Sequence, residues 1–321
     1  MSIGSNIKRR RIELGLSQQE LADIMGYKTR STIAKIESGE NDISQKKLQK
    51  IAEKLDISVE ELITGIKSSN SMTFLRQNIE SMQNPNSNKT VAIILAGGKS
   101  IRNHQNIPNQ FINILGKPVI VYTLEAYQNH PAIDDIYIVC LKGWEQIVNA
   151  YAKEYGITKL RGLIPSAPTG IQSVQNGLEY ISSFYSKNDY IVFQESTRPM
   201  VSVDMISRLL KETYEKGSAT ICQLTKEKVQ FYIENNNAKY LDRNKVVDLQ
   251  SPEAYKISII QSAFEKAKET NHVLDESCCA LLLYNLGIKI NFIEGCLNNI
   301  KIVRQEDIAV FTTLAKSLID Y

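Results

Sequence analysis

The chain has 321 residues, 43% of them hydrophobic and 23% charged, and a formal net charge of +3. That composition excludes a disordered tail, a collagen and a disulfide-stapled miniprotein, and the length predicts two domains of unequal size. The charge is too small to announce a nucleic-acid partner by itself, so any such reading must come from local arrangement. No run of about 18 apolar residues occurs, which predicts no membrane span. Lys8-Arg9-Arg10-Arg11 has no apolar segment behind it, so the N-terminus does not read as a secretory signal and a cytoplasmic chain is expected. Five cysteines without a C-x-x-C pair and three histidines without ligand spacing argue against a disulfide framework or a zinc site.

Residues 1–65 read as five short amphipathic helices. The first, 3–14, places Ile3, Ile7 and Leu14 on one face and stops at Gly15. Ser17 and Glu20 form a capping box for the second, whose inward face is Leu21, Ile24 and Met25 and which Gly26 breaks. The third, 30–37, buries Ile33 and Ile36. The fourth, capped by Ser44, buries Leu48, Ile51, Ala52 and Leu55, and the fifth, capped by Ser58, contains Glu61 and Leu62. Residues 66–89 are rich in Ser, Asn and Gln and read as a linker, with a short helix expected over 72–82.

Two helices joined by a tight turn are what a helix-turn-helix needs, the second entering the major groove N-terminus first. Lys28, Arg30, Ser31, Thr32 and Lys35 supply donors there, and Arg30 can pair bidentately with guanine. Gln18 and Gln19 open the preceding helix, where amides and backbone N–H groups can hold a phosphate, and the run Lys8 to Arg11 adds positive charge. The stretches Gly15-Leu16-Ser17-Gln18-Gln19-Glu20-Leu21-Ala22 and Arg30-Ser31-Thr32-Ile33-Ala34-Lys35-Ile36-Glu37-Ser38-Gly39 resemble the Cro/C1-type (XRE) repressor family. The resemblance implies a double-stranded DNA partner. The alternative reading is a helical interaction module with a solvated basic face.

Residues 90–321 alternate strands and helices: strands at 91–95, 136–141, 160–163, 190–194 and 219–224, and helices at 119–129, 145–155, 171–182 and 203–214. The fold class expected is α/β: a small all-α helix-turn-helix domain followed by a Rossmann-like domain with a mostly parallel sheet, in which ligands bind at the carboxyl ends of strands. The first strand empties into Ala96-Gly97-Gly98-Lys99-Ser100-Ile101-Arg102. Small residues let backbone N–H groups approach a phosphate, and Arg102 adds fixed charge.

This loop is similar to the L-A-G-G-x-G-x-R loop of sugar- and alditol-phosphate nucleotidyltransferases. The wider block resembles the cytidylyltransferases of methylerythritol phosphate and ribitol 5-phosphate. Gly116-Lys117-Pro118, Ser173-Val174-Gln175-Asn176-Gly177, Thr197-Arg198-Pro199, Asp242-Arg243-Asn244 and Asn299-Ile300-Lys301-Ile302 follow in the family's order. The resemblance implies attack of an alditol phosphate on the α-phosphate of CTP with release of pyrophosphate, aided by cations and Mg²⁺. It implies a triphosphate-binding loop over Ala96, Gly97, Gly98, Lys99 and Ser100 with Arg102, and Lys301 at the α-phosphate. Ser173 falls near the cytidine, Arg198 and Arg243 on the alditol-phosphate side, and Glu195 at a metal. Arg243 lies in an arm that crosses to a partner subunit, so a homodimer is expected.

The chain departs from the family pattern at several of these positions. Pro108-Asn109-Gln110-Phe111 carries Asn109 where the family has lysine, and Ser100 replaces a loop glycine. Gln194-Glu195-Ser196-Thr197-Arg198-Pro199 carries Glu195 for aspartate. Gly170 and Cys296 replace arginines, Ser251-Pro252-Glu253 brings an extra carboxylate near the site, and Lys228 is a candidate to replace the missing charge. Lys301 as a surface lysine, Lys99 as a solvent-facing one and Glu195 as a salt-bridged carboxylate remain open. So do three functions: a DNA-binding regulator sensing a nucleotide or alditol phosphate, an active cytidylyltransferase with a regulatory domain, and a dimerisation platform.

Overall fold

A computed structural model describes residues 3–27, 29–38, 45–57, 62, 88–99, 107–224, 228–235 and 237–319. The chain divides into two compact units, Met1–Met82 and Gln83–Tyr321. The expected linker lies largely outside the described residues, as do the helix at 72–82 and, apart from the buried Leu62, the fifth helix.

The first unit holds α1 (Ile3–Glu13), α2 (Gln18–Met25), α3 (Ser31–Ser38) and α4 (Gln45–Lys54). The capping box forms: the Ser17 hydroxyl accepts from Glu20 N–H at 3.2 Å, and the Glu20 carboxylate accepts from Ser17 N–H at 2.7 Å. Ile7, Leu21, Ala22, Met25, Ile33, Ile36, Leu48, Ile51, Ala52, Leu55 and Leu62 make the core. Gly4 lets α1 cross α3, since a Cβ there would fall 2.4 Å from the Ile36 carbonyl oxygen. Two expected core residues are not in it: Leu14 is 41% exposed and Ile24 is 42% exposed. Leu14 lies one residue beyond the end of α1. The inward stripe of α2 runs through 18, 21, 22 and 25, which leaves position 24 about 100° off its centre.

The second unit is a seven-stranded sheet of β1 (Thr90–Ala96), β4 (Asp135–Cys140), β5 (Leu160–Pro165), β6 (Tyr190–Glu195), β7 (Ser218–Leu224), β10 (Val247–Lys256) and β11 (Phe292–Glu294). Their order is β11-β7-β10-β6-β1-β4-β5. All pairings are parallel except those of β10, which is antiparallel to both β6 and β7. Helices α5 (Val119–Asn129), α6 (Glu145–Glu154) and α8 (Val203–Lys216) cover one face. Helices α7 (Gly170–Ile181), α9 (Ile257–Glu269) and α10 (Cys279–Asn285) cover the other. Burial on both faces explains the unbroken apolar runs of β1, β4 and β6: Ala92, Ile94 and Ala96 enter one core, Val91 and Ile93 the other.

Two small hairpins stand apart. β2 (Asn113–Ile114) pairs with β3 (Lys117–Pro118), and its Ile114 joins Ile302 and, from α11 (Gln305–Ile319), Phe311 and Ala315 in a satellite cluster. β8 (Gln230–Glu234) and β9 (Asn237–Leu241) form an arm with Phe231, Tyr232, Ile233 and Tyr240 exposed.

Candidate functional site

In the first unit, α2 and α3 carry the candidate DNA-reading surface. Arg30, Ser31 and Lys35 are exposed and Thr32 is half-buried. The Thr29 and Ser31 hydroxyls share a hydrogen bond of 2.7 Å where α3 begins. Lys28 lies outside the described residues. Gln18 turns inward and donates to Glu37 at 2.9 Å, while Gln19 donates to Asp23 at 2.8 Å. The expected basic run is redistributed. Arg11 forks onto Glu37 at 2.6 and 3.1 Å and donates to the Leu16 carbonyl, and Arg10 donates to the Leu55 and Asp56 carbonyls. These two guanidiniums tie α1 to α3 and to the chain just after α4. Lys8 remains exposed, and Arg9 lies 3.9 Å from Glu13.

In the second unit the carboxyl ends of β1, β5 and β6 converge with the segment before α11. After β1 the chain turns at Gly97, where a Cβ would stand 2.4 Å from the Ser166 Cβ, so the turn and the segment after β5 touch directly. Gly98 and Lys99 are exposed. Ser100 and Arg102 lie outside the described residues. The Gln110 amide donates to the Ala96 and Gly98 carbonyls, both at 2.9 Å, and fixes the turn from beneath. Across the turn, the Ser173 hydroxyl accepts from Ala167 N–H at 3.0 Å, and Thr169 caps α7 through Gln172 N–H. Ser173 is therefore placed beside the glycine turn by the 166–169 loop that its own hydroxyl shapes.

The charged centre is built on Glu195, the last residue of β6. Arg198 Nε donates to Glu195 Oε2 at 2.7 Å, and the Lys301 ammonium pairs with Glu195 Oε1. Burial opposes the charge on Glu195, but the Lys301 ammonium and then the Arg198 guanidinium prevail and hold its carboxyl below the usual range. Arg198 Nη1 also donates to the Asn299 carbonyl at 2.8 Å. Asn299, fully buried, donates to the Ser251 carbonyl at 2.8 Å, and the Ser251 hydroxyl accepts from Glu195 N–H at 3.1 Å. This knot sits where the register of β10 against β7 shifts between Leu249 and Glu253, a common device for re-aiming side chains at a site. Asn109, 2% exposed, donates to the Ile302 and Val303 carbonyls at 3.3 and 3.1 Å.

The structure thus brings Glu195, Arg198 and Lys301 together. Arg243 is exposed on the one-turn helix Arg243–Lys245 beyond the arm, and no hydrogen bond or ion pair links it or Ser173 to that group among the described residues. Lys228 stands 3.9 Å from Asp248 beside the arm, and both side chains are exposed. Glu253 lies near the site, as expected, close enough to Glu195 for the two charges to oppose each other. It is buried behind it, accepting from the Tyr255 hydroxyl at 2.6 Å and Ala280 N–H at 2.8 Å, and burial pushes its carboxyl up to about 7. Gln110, Asn299 and Ser251 were missed as functional residues. Their signal was only their place inside the quoted motifs.

A magnesium ion takes oxygen ligands, usually one or two carboxylates together with substrate phosphates. Both oxygens of Glu195 are occupied by cations, and among the described residues no group of three potential ligands gathers. These residues do not fit a preformed magnesium site. Among the described residues no helix is long and apolar enough to cross a membrane.

Comparison with known proteins agrees with this arrangement. Residues 7–62 match the helix-turn-helix family model, and residues 90–316 match that of 2-C-methyl-D-erythritol 4-phosphate cytidylyltransferase. A ribitol-5-phosphate cytidylyltransferase of Lacticaseibacillus paracasei is 32% identical over 68% of this chain and 95% of its own length. A 2-C-methyl-D-erythritol 4-phosphate cytidylyltransferase of Clostridium botulinum is 29% identical over 72% of this chain and 99% of its own. The crystal structure of 4-diphosphocytidyl-2C-methyl-D-erythritol synthase from Anaerococcus prevotii superposes with a TM-score of 0.63 at 19% identity, covering 73% of this chain and 98% of that one. It shares the α/β fold. With a helix-turn-helix unit preceding a sheet whose strand ends gather Glu195, Arg198 and Lys301, the chain belongs to the 2-C-methyl-D-erythritol 4-phosphate cytidylyltransferase family.

Proposed function

We propose that the chain is a DNA-binding transcriptional regulator. Its cytidylyltransferase-like domain, residues 90–321, binds CTP, a CDP-alditol or an alditol phosphate as a signal, and residues 1–65 carry the operator contact through Arg30, Ser31, Thr32 and Lys35. The observation that carries this reading is the charge balance at the strand ends. Arg198 and Lys301 are both committed to Glu195, and the amide of Asn109 is committed to backbone carbonyls. Phosphoryl transfer is mainly alignment and charge stabilisation, and one missing stabilising group costs on the order of 10²–10³ in rate. A site of this kind holds an anion better than it reacts one. Arg102 and Lys99 supply further cationic contacts to a triphosphate, and Ser173 contacts the nucleoside.

The exposed arm supports a homodimer. A two-stranded hairpin is marginally stable alone in water, and the apolar side chains of Phe231, Ile233 and Tyr240 are suited to a second copy of the chain, which also brings Arg243 toward the partner's site. Two operator contacts on one dimer raise avidity, and a ligand changes operator affinity by favouring one dimer geometry.

The test is titration calorimetry of the full chain with CTP, CDP-ribitol and ribitol 5-phosphate, with and without Mg²⁺, followed by DNA-affinity measurement at saturating ligand. Binding together with a changed operator affinity supports the reading. Absence of any ligand, or an operator affinity indifferent to it, defeats it.

The second reading, an active cytidylyltransferase with a regulatory unit, is favoured by the retention of both Arg198 and Lys301 beside one acidic residue. Pyrophosphate release from CTP and ribitol 5-phosphate above a no-enzyme blank decides for it.

A further inference from the structure

The short turn Asn109–Phe111 is buried throughout, and two consecutive side chains on it reach two different loops of the strand-end site. Gln110 donates to the Ala96 and Gly98 carbonyls at 2.9 Å each, and Asn109 donates to the Ile302 and Val303 carbonyls at 3.3 and 3.1 Å. The turn itself is held firmly. Phe111 N–H bonds to the Pro108 carbonyl at 2.9 Å, and the Phe111 ring stacks on Trp144 with centroids 4.1 Å apart and planes 4° from parallel.

We propose that Asn109 is a positioning residue for Lys301. Its amide splints the strap that carries the lysine, and the Asn109–Gln110 turn links that strap rigidly to the glycine turn after β1. The inference deepens the proposed function and rests on its reading of the strand ends as an anion site.

The chemistry of the amide fits this role. A carboxamide has two N–H donors, and here they meet two successive carbonyls. The opposite side of the strap is held as well. Ile302 N–H donates to the Thr197 carbonyl at 2.8 Å, and Val303 and Arg304 N–H donate to Asp307 at 2.8 and 2.7 Å. The strap is therefore bonded on both edges, and Lys301 leaves it toward Glu195. A lysine at 109 would lose this fit, since its ammonium would have to enter a nearly closed site or push the strap aside. A missing charge and a gained splint are the same substitution seen from two sides.

The experiment uses the full chain and the variants Asn109→Ala, Asn109→Asp and Asn109→Lys, with Lys301→Ala as a partner for double-mutant cycles. Asn109→Asp keeps the volume and loses the donors, so it serves if the alanine variant folds poorly. Hydrogen exchange without ligand is the first readout: the Ile302–Arg304 amides should exchange about tenfold faster in all three variants, as expected for two lost hydrogen bonds, with exchange in residues 3–57 unchanged. Calorimetry with CTP is the second: affinity should fall by about the same factor in each, and the loss should vanish when Lys301 is already alanine. Asn109→Lys that tightens CTP or speeds pyrophosphate release with strap exchange unchanged overturns the proposal. So does an Asn109→Ala effect that adds fully to Lys301→Ala. If the parent binds no CTP, the functional reading fails by itself, and the exchange readout alone decides whether Asn109 splints the strap.

Discussion

The Glu253 carboxylate accepts a hydrogen bond from Ala280 N–H at 2.8 Å and so holds the first turn of α10 against β10. Burial raises this carboxyl to about 7, from an ordinary value of 4.5. A raised folded-state value means that the folded protein keeps its proton where the unfolded chain has lost it. The stabilisation is full below about 4.5 and is lost as pH rises through about 7. Glu253→Gln keeps the shape without the charge. The variant should match the parent in urea melts near pH 4.5 and exceed it at pH 8 by on the order of 1–3 kcal/mol.

His130 works in the opposite direction. It is buried, its Nε2 meets the Ser207 hydroxyl at 3.0 Å, and its Nδ1 accepts from Ala132 N–H. Burial, reinforced by Lys159, lowers its value to about 4. The neutral ring contributes fully above about 6.5, and the contribution declines as pH falls toward 4, where the unfolded chain takes the proton first. His130→Gln should remove this acid-side decline between pH 6.5 and 4. A denaturation series across that window in parent and variant checks it.

In the first unit, the side chains of Arg11 and Glu37 are 10% and 3% exposed, and the pair bridges α1 and α3. Removing one partner leaves a buried charge without its counter-ion, which costs about 3–5 kcal/mol. Glu37→Ala should therefore unfold the helix-turn-helix unit and abolish DNA binding, and also free Gln18. Arg30→Ala should leave the fold intact, cost about 1–3 kcal/mol of operator affinity and relax specificity at one position. Circular dichroism alongside a gel-shift titration separates the two outcomes.

At the strand ends, Glu195→Gln removes the charge that occupies Arg198 and Lys301. CTP affinity should rise several-fold and become more sensitive to salt, since two cations then lack their counter-charge. Calorimetry at two salt concentrations reads both effects. An affinity that falls would mean that Glu195 itself holds the ligand.

On the arm, Ile233 is 72% exposed and Phe231 56% exposed. Replacing both with serine should convert the proposed dimer to monomer in sedimentation velocity. DNA affinity should fall with it, through lost avidity, while the far-UV spectrum stays unchanged.

Much of the frame was legible beforehand. The capping box at Ser17 and the apolar runs of β1, β4 and β6 carry their own periodicity, and each forms within a residue or two of where it was expected. β10 was not legible. Val247-Asp248-Leu249-Gln250-Ser251-Pro252-Glu253 has neither an apolar run nor clean alternation, and it becomes a strand because β6 and β7 offer open edges on both sides. Lys301 and Glu195 could be named from motif order, and Glu253 as a carboxylate near them, but its burial against Tyr255 and α10 is visible only in the fold.

What the sequence determined alone was local: where helices start and stop, which strands are covered on both faces, and where the chain turns at Gly97 and Gly98. These follow from hydrogen bonds and side-chain spacing within a few residues. Tertiary structure decided which charges are spent and which are offered. Lys301 meets Glu195 across 106 residues of sequence, and Arg11 meets Glu37 across 26. The energy of a charge depends on its distance through space to a partner and on the burial of both, and neither quantity is written in the order of residues along the chain.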